Sequence, residues 1–268
     1  MSTKRPRLRD PLPEAPVVGI TIKSPRELEH MRAAGQVVAA TIARLVAFVA
    51  PGVTTKDCDA VAEREIRHLG AVPAFKGYRG FPATICVSIN EEIVHGIPGP
   101  RVVREGDLVS LDVGAVVNGF YADAAVSAGV GKVSSEVADL IEVTREALER
   151  GIQACRAGNR MGDISAAVQR FVEGRGYSVV REYVGHGIGR ALHEDPQVPN
   201  FGPPGRGLLL RSGMVLAIEP MVNVGDWRTR GLEDGWTVVT ADGSLSAHFE
   251  YTVAIMEAGP EVLTRQKG

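Results

Sequence analysis

Asp107-Leu-Val-Ser-Leu-Asp112-Val-Gly-Ala-Val-Val-Asn118-Gly119-Phe-Tyr-Ala-Asp123-Ala-Ala-Val-Ser127 is the stretch that decides the fold. Two runs of β-branched and small residues flank Asn118-Gly119, the strongest short-range signal for a β-hairpin. A two-residue turn there pairs Val117 with Phe120. Counting outward, Asp112 comes opposite Ala125 and Asp123 opposite Gly114. Both carboxylates then stand on one sheet face as diagonal neighbours, roughly 7 Å apart or less at their β-carbons, and their oxygens can meet at one or two cations. Two aspartates on a hairpin also read as solvated surface charge. Against that, the other face (Val109, Leu111, Val113, Ala115, Phe120, Ala122, Ala124, Val126) is apolar. The aspartate face carries the small residues Ser110, Gly114, Ala125 and Ser127, which leave room for a ligand.

Three further donors come from the second half. Tyr183-Val-Gly-His186-Gly-Ile-Gly189-Arg-Ala-Leu-His193-Glu-Asp-Pro sets two histidines among glycines that let the backbone bend closely around something. The spacing is neither a zinc H-x-x-x-H nor a cysteine pair. Gly213-Met-Val-Leu-Ala-Ile-Glu219-Pro220 and Ser246-Ala-His-Phe-Glu250-Tyr each place a glutamate at the edge of an apolar, strand-like run, where a carboxylate must be paired, protonated or metal-bound. Taken singly, each glutamate reads equally as a salt-bridged strand end.

In this order, Asp112, Asp123, His186, Glu219 and Glu250 resemble the methionine aminopeptidase family of the pita-bread fold. Its motifs are Asp-x10-Asp, His-Gly-x-Gly-x-x-x-His, Glu-Pro-Met and a late glutamate, and Cys86-Val-Ser-Ile-Asn-Glu-Glu-Ile-Val-His95-Gly-Ile-Pro98 matches a further family segment. The resemblance runs from about Ser24 to Leu263. It implies an α+β fold of two pseudo-symmetric halves, in which helices back a curved antiparallel sheet. It also implies that Asp123 and Glu250 bridge two metal ions, that Asp112 completes one shell, and that His186 and Glu219 complete the other. Four carboxylates and one imidazole match two divalent cations in charge and suit Mn(II), Fe(II), Co(II) or Zn(II). Such ions lower the pKa of a shared water and hold the attacked carbonyl. By the same resemblance Glu219 is the general base, His193 meets the substrate carbonyl and His95 the scissile amide nitrogen. The methionine pocket matches Tyr78, Phe81, Cys86, Leu192 and Trp236. Leu192 stands where many relatives carry an aromatic, and Tyr251 where histidine is common.

An X-Pro aminopeptidase or proline dipeptidase uses the same ligands, but usually behind a sizeable amino-terminal domain. A metal-free pita-bread binding module would not be expected to keep all five. Glu219 and Glu250 lie 31 residues apart, leaving no room for the helical insertion of type II enzymes, so the resemblance is to type I in its simpler bacterial form.

The remaining composition agrees. The chain has 268 residues, 44% hydrophobic, a net charge of -2, a pI near 6.3 and three separated cysteines. That predicts a cytoplasmic protein with reduced thiols, no membrane partner and nucleic acid not its main target, and the resemblance implies a monomer acting on nascent polypeptide N-termini. Residues 1–20, with Lys4, Arg5, Arg7, Arg9 and four prolines, read as an extended solubilising tail rather than a ribosome contact, which stays possible, ahead of one catalytic domain over 21–268. Ser24-Pro25-Arg26-Glu27 reads as a capping box that opens a helix with its apolar stripe on Leu28, Met31, Val38, Ile42, Leu45 and Val49, ending at Pro51-Gly52. A shift of 106 residues aligns Gly52, Asp57, Ala60 and Gly70 with Gly158, Asp163, Ala166 and Gly176. Helix pairs over 24–69 and 135–172 would then be equivalent halves.

Overall fold

A computed structural model describes residues 19–266. Apart from residues 19 and 20, the expected extension lies outside the described residues. Helix α1 (Pro25–Phe48) starts on the expected capping box, in which Ser24 Oγ accepts from Glu27 N while Glu27 accepts from Ser24 N at 2.9 Å. Its stripe is buried as read, except that Val49 is already the extended C-cap ahead of Pro51. By length and composition α1 also passes for a membrane span, which qualifies the expectation that none is present. Half of that window is buried against the protein, as an amphipathic core helix requires.

The second helix, α2 (Thr55–His68), is followed by β1 (Val72–Pro73), β2 (Ile85–Ile89) and β3 (Glu92–Val94), and then by the hairpin of β4 (Leu108–Val117) and β5 (Phe120–Gly129). The second half opens with α3 (Ser135–Ala154) and α4 (Met161–Gly174). Its strands are β6 (Ser178–Val179), β7 (Gly185–Gly187), β8 (Glu194–Val198), β9 (Val215–Ile218), β10 (Met221–Asn223), β11 (Thr229–Gly231), β12 (Val238–Thr240), β13 (Ser246–His248), β14 (Glu250–Met256) and β15 (Gly259–Val262). One antiparallel sheet runs β1-β4-β5-β14-β9-β7-β8, with β2 also on β4 and β15 also on β14. Two three-stranded sheets, β13-β10-β6 and β11-β12-β3, adjoin it.

The hairpin has the expected register: Val117 pairs with Phe120, Asp112 with Ala125 and Gly114 with Asp123. Asn118 and Gly119 take the positive φ values of 52° and 79° that such a turn demands. The helices cover one face of the large sheet, α1 on β4 and β5, and α3 on β5, β9 and β14.

The internal repeat is structural. Helices α2 and α4 are both 14 residues long. Gly52 and Gly158, at φ 93° and 92°, donate to Val103 and Leu210 at 2.9 and 3.0 Å. The isolated bridges Thr54 to Val102 and Arg160 to Leu209 also correspond. Asp57 and Asp163 each accept from the N-cap amide, at 3.0 and 2.7 Å. Only Thr54 returns a side-chain acceptor, because arginine at 160 has none to offer.

Candidate active site

Register builds the site. Asp112 pairs with Ala125, and Ala125 with Glu250. Continuing the pairing of Tyr251 with Ile218 by one residue brings Glu219, just past β9, level with Glu250. In the adjoining row Gly114 pairs with Asp123, Thr252 pairs with Ala217, and Ala217 with His186. Thr252 Oγ1 ties the row together, lying 3.1 Å from Asp123 Oδ1 and 2.8 Å from the Asp123 carbonyl. The neighbouring strands β4, β5, β14, β9 and β7 thus each bring one donor to the sheet face away from the helices.

The five are buried or nearly so. Asp123 and Glu250 are each 3% exposed, which rules out solvated surface charge. Asp123, His186 and Glu250 each offer one atom within 4.8 Å of the others. His186 Nδ1 donates to the Gly187 carbonyl at 2.9 Å, which leaves Nε2 as the ring nitrogen that faces the carboxylates. That Nε2 lies 3.6 Å from both Asp123 Oδ2 and Glu219 Oε1. Among the described residues no lysine or arginine pairs with the four carboxylates, and the buried Asp112 Oδ1 has no hydrogen-bond partner. Desolvation holds all four carboxyls above the usual range, and Asp123 adds repulsion to the other three. A buried cluster of oxygen donors, an orphaned carboxylate oxygen and an imidazole whose Nε2 faces them fit divalent cations and little else.

The other expected residues surround the same cavity of about 200 Å³, below the roughly 300–1,000 Å³ of a drug-sized site. Tyr78, Phe81, Cys86, Leu192 and Trp236 line it, as do His95 and His193. Phe81 meets Trp236 edge-on at 5.1 Å between ring centres. Burial pushes the Cys86 thiol up, and Asp112 and Glu250 add to that. His193 stacks on Tyr78 with ring centres 5.3 Å apart and lies tilted against His186 at 4.2 Å, and its Nδ1 meets Tyr78 Oη at 2.9 Å. His95, at φ 60°, lies edge-on to Tyr183 and Trp236, and burial lowers its pKa.

Two local readings need correction. Gly114 does not make room for a ligand: a Cβ there would meet Phe75 Cε1 at 2.5 Å, so the space belongs to Phe75, which itself lines the cavity. The glycines around His186 serve close packing of protein on protein, since a Cβ at Gly185 or Gly187 would lie 2.3 or 2.2 Å from the carbonyl of Ala217 or Asp195. The sequence reading also missed Phe75, Arg79, Val94, Tyr183 and Val184 on the cavity wall. It missed His248 as well, whose buried Nε2 is unbonded and 3.9 Å from Glu219 Oε2. Tyr183-Val184 adjoin the His186 motif and were legible, whereas Phe75 carried no signal.

Comparison with protein families matches residues 29–257 to Metallopeptidase family M24. The chain belongs to family M24. It is 54% identical over 246 residues to methionine aminopeptidase 1 of Bacillus subtilis, covering 92% of this chain and 99% of that protein. The crystal structure of the Thermotoga maritima methionine aminopeptidase superposes with a TM-score of 0.91 at 51% identity, over 92% of this chain and 100% of that one. The prolidase of Pyrococcus furiosus, at 22% identity and a TM-score of 0.76 over 92% of this chain and 66% of that one, shares the fold alone. With the M24 fold come the pita-bread architecture, hydrolase chemistry and a dependence on divalent metal.

Proposed function

We propose that this chain removes the N-terminal methionine from peptides and nascent proteins whose second residue is small and uncharged. The observation that carries this reading is a single cavity whose wall combines the five-donor set with the apolar side chains of Tyr78, Phe81, Cys86, Leu192 and Trp236. Identity above 50% to methionine aminopeptidases along nearly the whole chain supports the choice of methionine over proline peptides.

Asp112, Asp123, His186, Glu219 and Glu250 would hold two divalent cations, cobalt, manganese, iron(II) or zinc. Bound there, the metals acidify the attacking water and polarise the scissile carbonyl. The protein's own groups do the rest. Glu219 takes the proton of the attacking water at a carboxylate oxygen as the new C–O bond forms. His193, held through Nδ1 by Tyr78, turns Nε2 toward the carbonyl oxygen and donates to it as negative charge develops. His95 contacts the amide nitrogen, which takes the proton back from Glu219 as the C–N bond breaks and leaves as the shortened peptide's amine, with Glu219 restored as the base. Phe81, Trp236, Tyr78, Leu192 and Cys86 exclude water from the methionine side chain. The chain acts in the cytoplasm as a monomer, with one catalytic domain over 21–268.

Peptide hydrolysis decides the substrate. Met-Ala- and Met-Ser-headed peptides should be cleaved, and Met-Leu-, Leu-Ala- and Ala-Pro-headed peptides left intact. Comparable rates on all of them would overturn both the methionine assignment and the pocket.

A further inference from the structure

Away from the donor set, Lys23 and Glu194 form a buried ion pair, Nζ to Oε2 at 2.5 Å, with side chains 5% and 1% exposed. Two buried charges cost desolvation that their attraction repays only with saturated geometry, so such pairs are weak devices for stability. In this pair the carboxylate has its full set of four partners. Glu194 Oε2 also accepts from Thr21 Oγ1 at 2.6 Å, and Lys23 Nζ also contacts Thr21 Oγ1. Oε1 accepts from the backbone amides of Arg190 and Ala191 at 2.7 and 3.2 Å.

Those two amides open the turn that ends in Leu192 and His193, and Glu194 follows His193 directly. The glycine before the turn is required by the pair: a Cβ at Gly189 would lie 2.4 Å from Lys23 Cε and 2.7 Å from Glu194 Oε1. The segment leading into α1 meets that loop where Gly19 N donates to Asp195 Oδ2 at 3.3 Å, and it is held against the turn before β9 where Lys23 N donates to the Gly213 carbonyl at 2.7 Å. We propose that Lys23 and Glu194 are positioning residues, which lock the turn 190–194 so that the His193 ring meets Tyr78 on one side and the cavity on the other. The inference rests on the role given to His193 above.

The test compares zinc-loaded wild type with Lys23→Met, Lys23→Met/Glu194→Gln and Lys23→Met/Glu194→Ala. It uses ¹⁵N-imidazole NMR of His193 and kcat on Met-Ala peptides. Lys23→Met should shift the His193 signals and lower kcat roughly tenfold with KM within about twofold, because a small displacement of a reacting group is costly. Adding Glu194→Gln should restore both, since the amide oxygen still accepts from Arg190 and Ala191 without leaving an unpaired buried charge. Adding Glu194→Ala should not. If Lys23→Met fails to fold, the contrast between the two double variants decides alone. Unchanged His193 signals with unchanged kcat in Lys23→Met, or equal kcat in the two double variants, would overturn the proposal. Expected His193 shifts in a protein whose wild type does not cleave Met-Ala peptides would sustain the positioning role and sink the substrate reading.

Discussion

At the scale of single residues, two histidines seven apart in sequence have opposite surroundings. His186 has Nδ1 committed to a carbonyl and Nε2 free among carboxylates, the arrangement of a ligand. His193 has Nδ1 committed to a phenol and its ring at the cavity wall, the arrangement of a hydrogen-bond donor to substrate. His186→Ala should therefore weaken metal binding as well as rate. His193→Ala should leave metal binding intact while kcat falls by roughly 10², the cost of one preorganised transition-state bond. Calorimetric metal titration of both variants separates them, and equal metal loss would mean that the division is wrong. Gly114 offers a second test. Gly114→Ala forces Phe75 to move, so it should destabilise by about 1–3 kcal/mol and raise KM while sparing metal affinity. A variant with unchanged KM would show that Phe75 has no part in the recess. The five donors were legible in the sequence because each belongs to a short motif with its own register logic. Phe75 and Lys23 were not, because they reach the site from segments whose only signal is the space that a distant glycine leaves them.

At the scale of elements, the two halves end their helix pairs with the same turn chemistry but cap α2 and α4 unequally. Thr54 and Asp57 exchange bonds in both directions, whereas at α4 only Asp163 contributes. Thr54→Ala should cost about 1 kcal/mol of stability, read as a lower urea midpoint with an unchanged slope, and should leave kcat unaltered. A change in kcat would mean that α2 is coupled to the cavity, which no contact described above provides. The hairpin, the first capping box and the pairing of Gly52 with Gly158 could all be read in advance, because turn type and cap geometry are set by neighbouring residues. The order β4-β5-β14-β9-β7 could not, since pairing between strands far apart in sequence follows from tertiary packing and leaves no local mark.

For the whole molecule, removal of residues 1–18 should change kcat/KM on short peptides by less than about twofold, because all five donors and both cavity histidines lie far beyond the cut and, among the described residues, Gly19 already contacts the active-site loop. A large loss with the fold intact would show that the leader helps build the site. The large sheet also fixes when during synthesis the enzyme can become active. Thr252 and the Asp123 that it holds are 129 residues apart, and Glu250 lies on the same late strand, wedged between β5 and β9. A chain still emerging already carries the two aspartates and His186, yet lacks the strand that completes the donor set. Closing contacts across so long a stretch is slow. The donor set is therefore complete only once β14 has paired with both β5 and β9, and a chain that ends before Glu250 lacks one of its five donors.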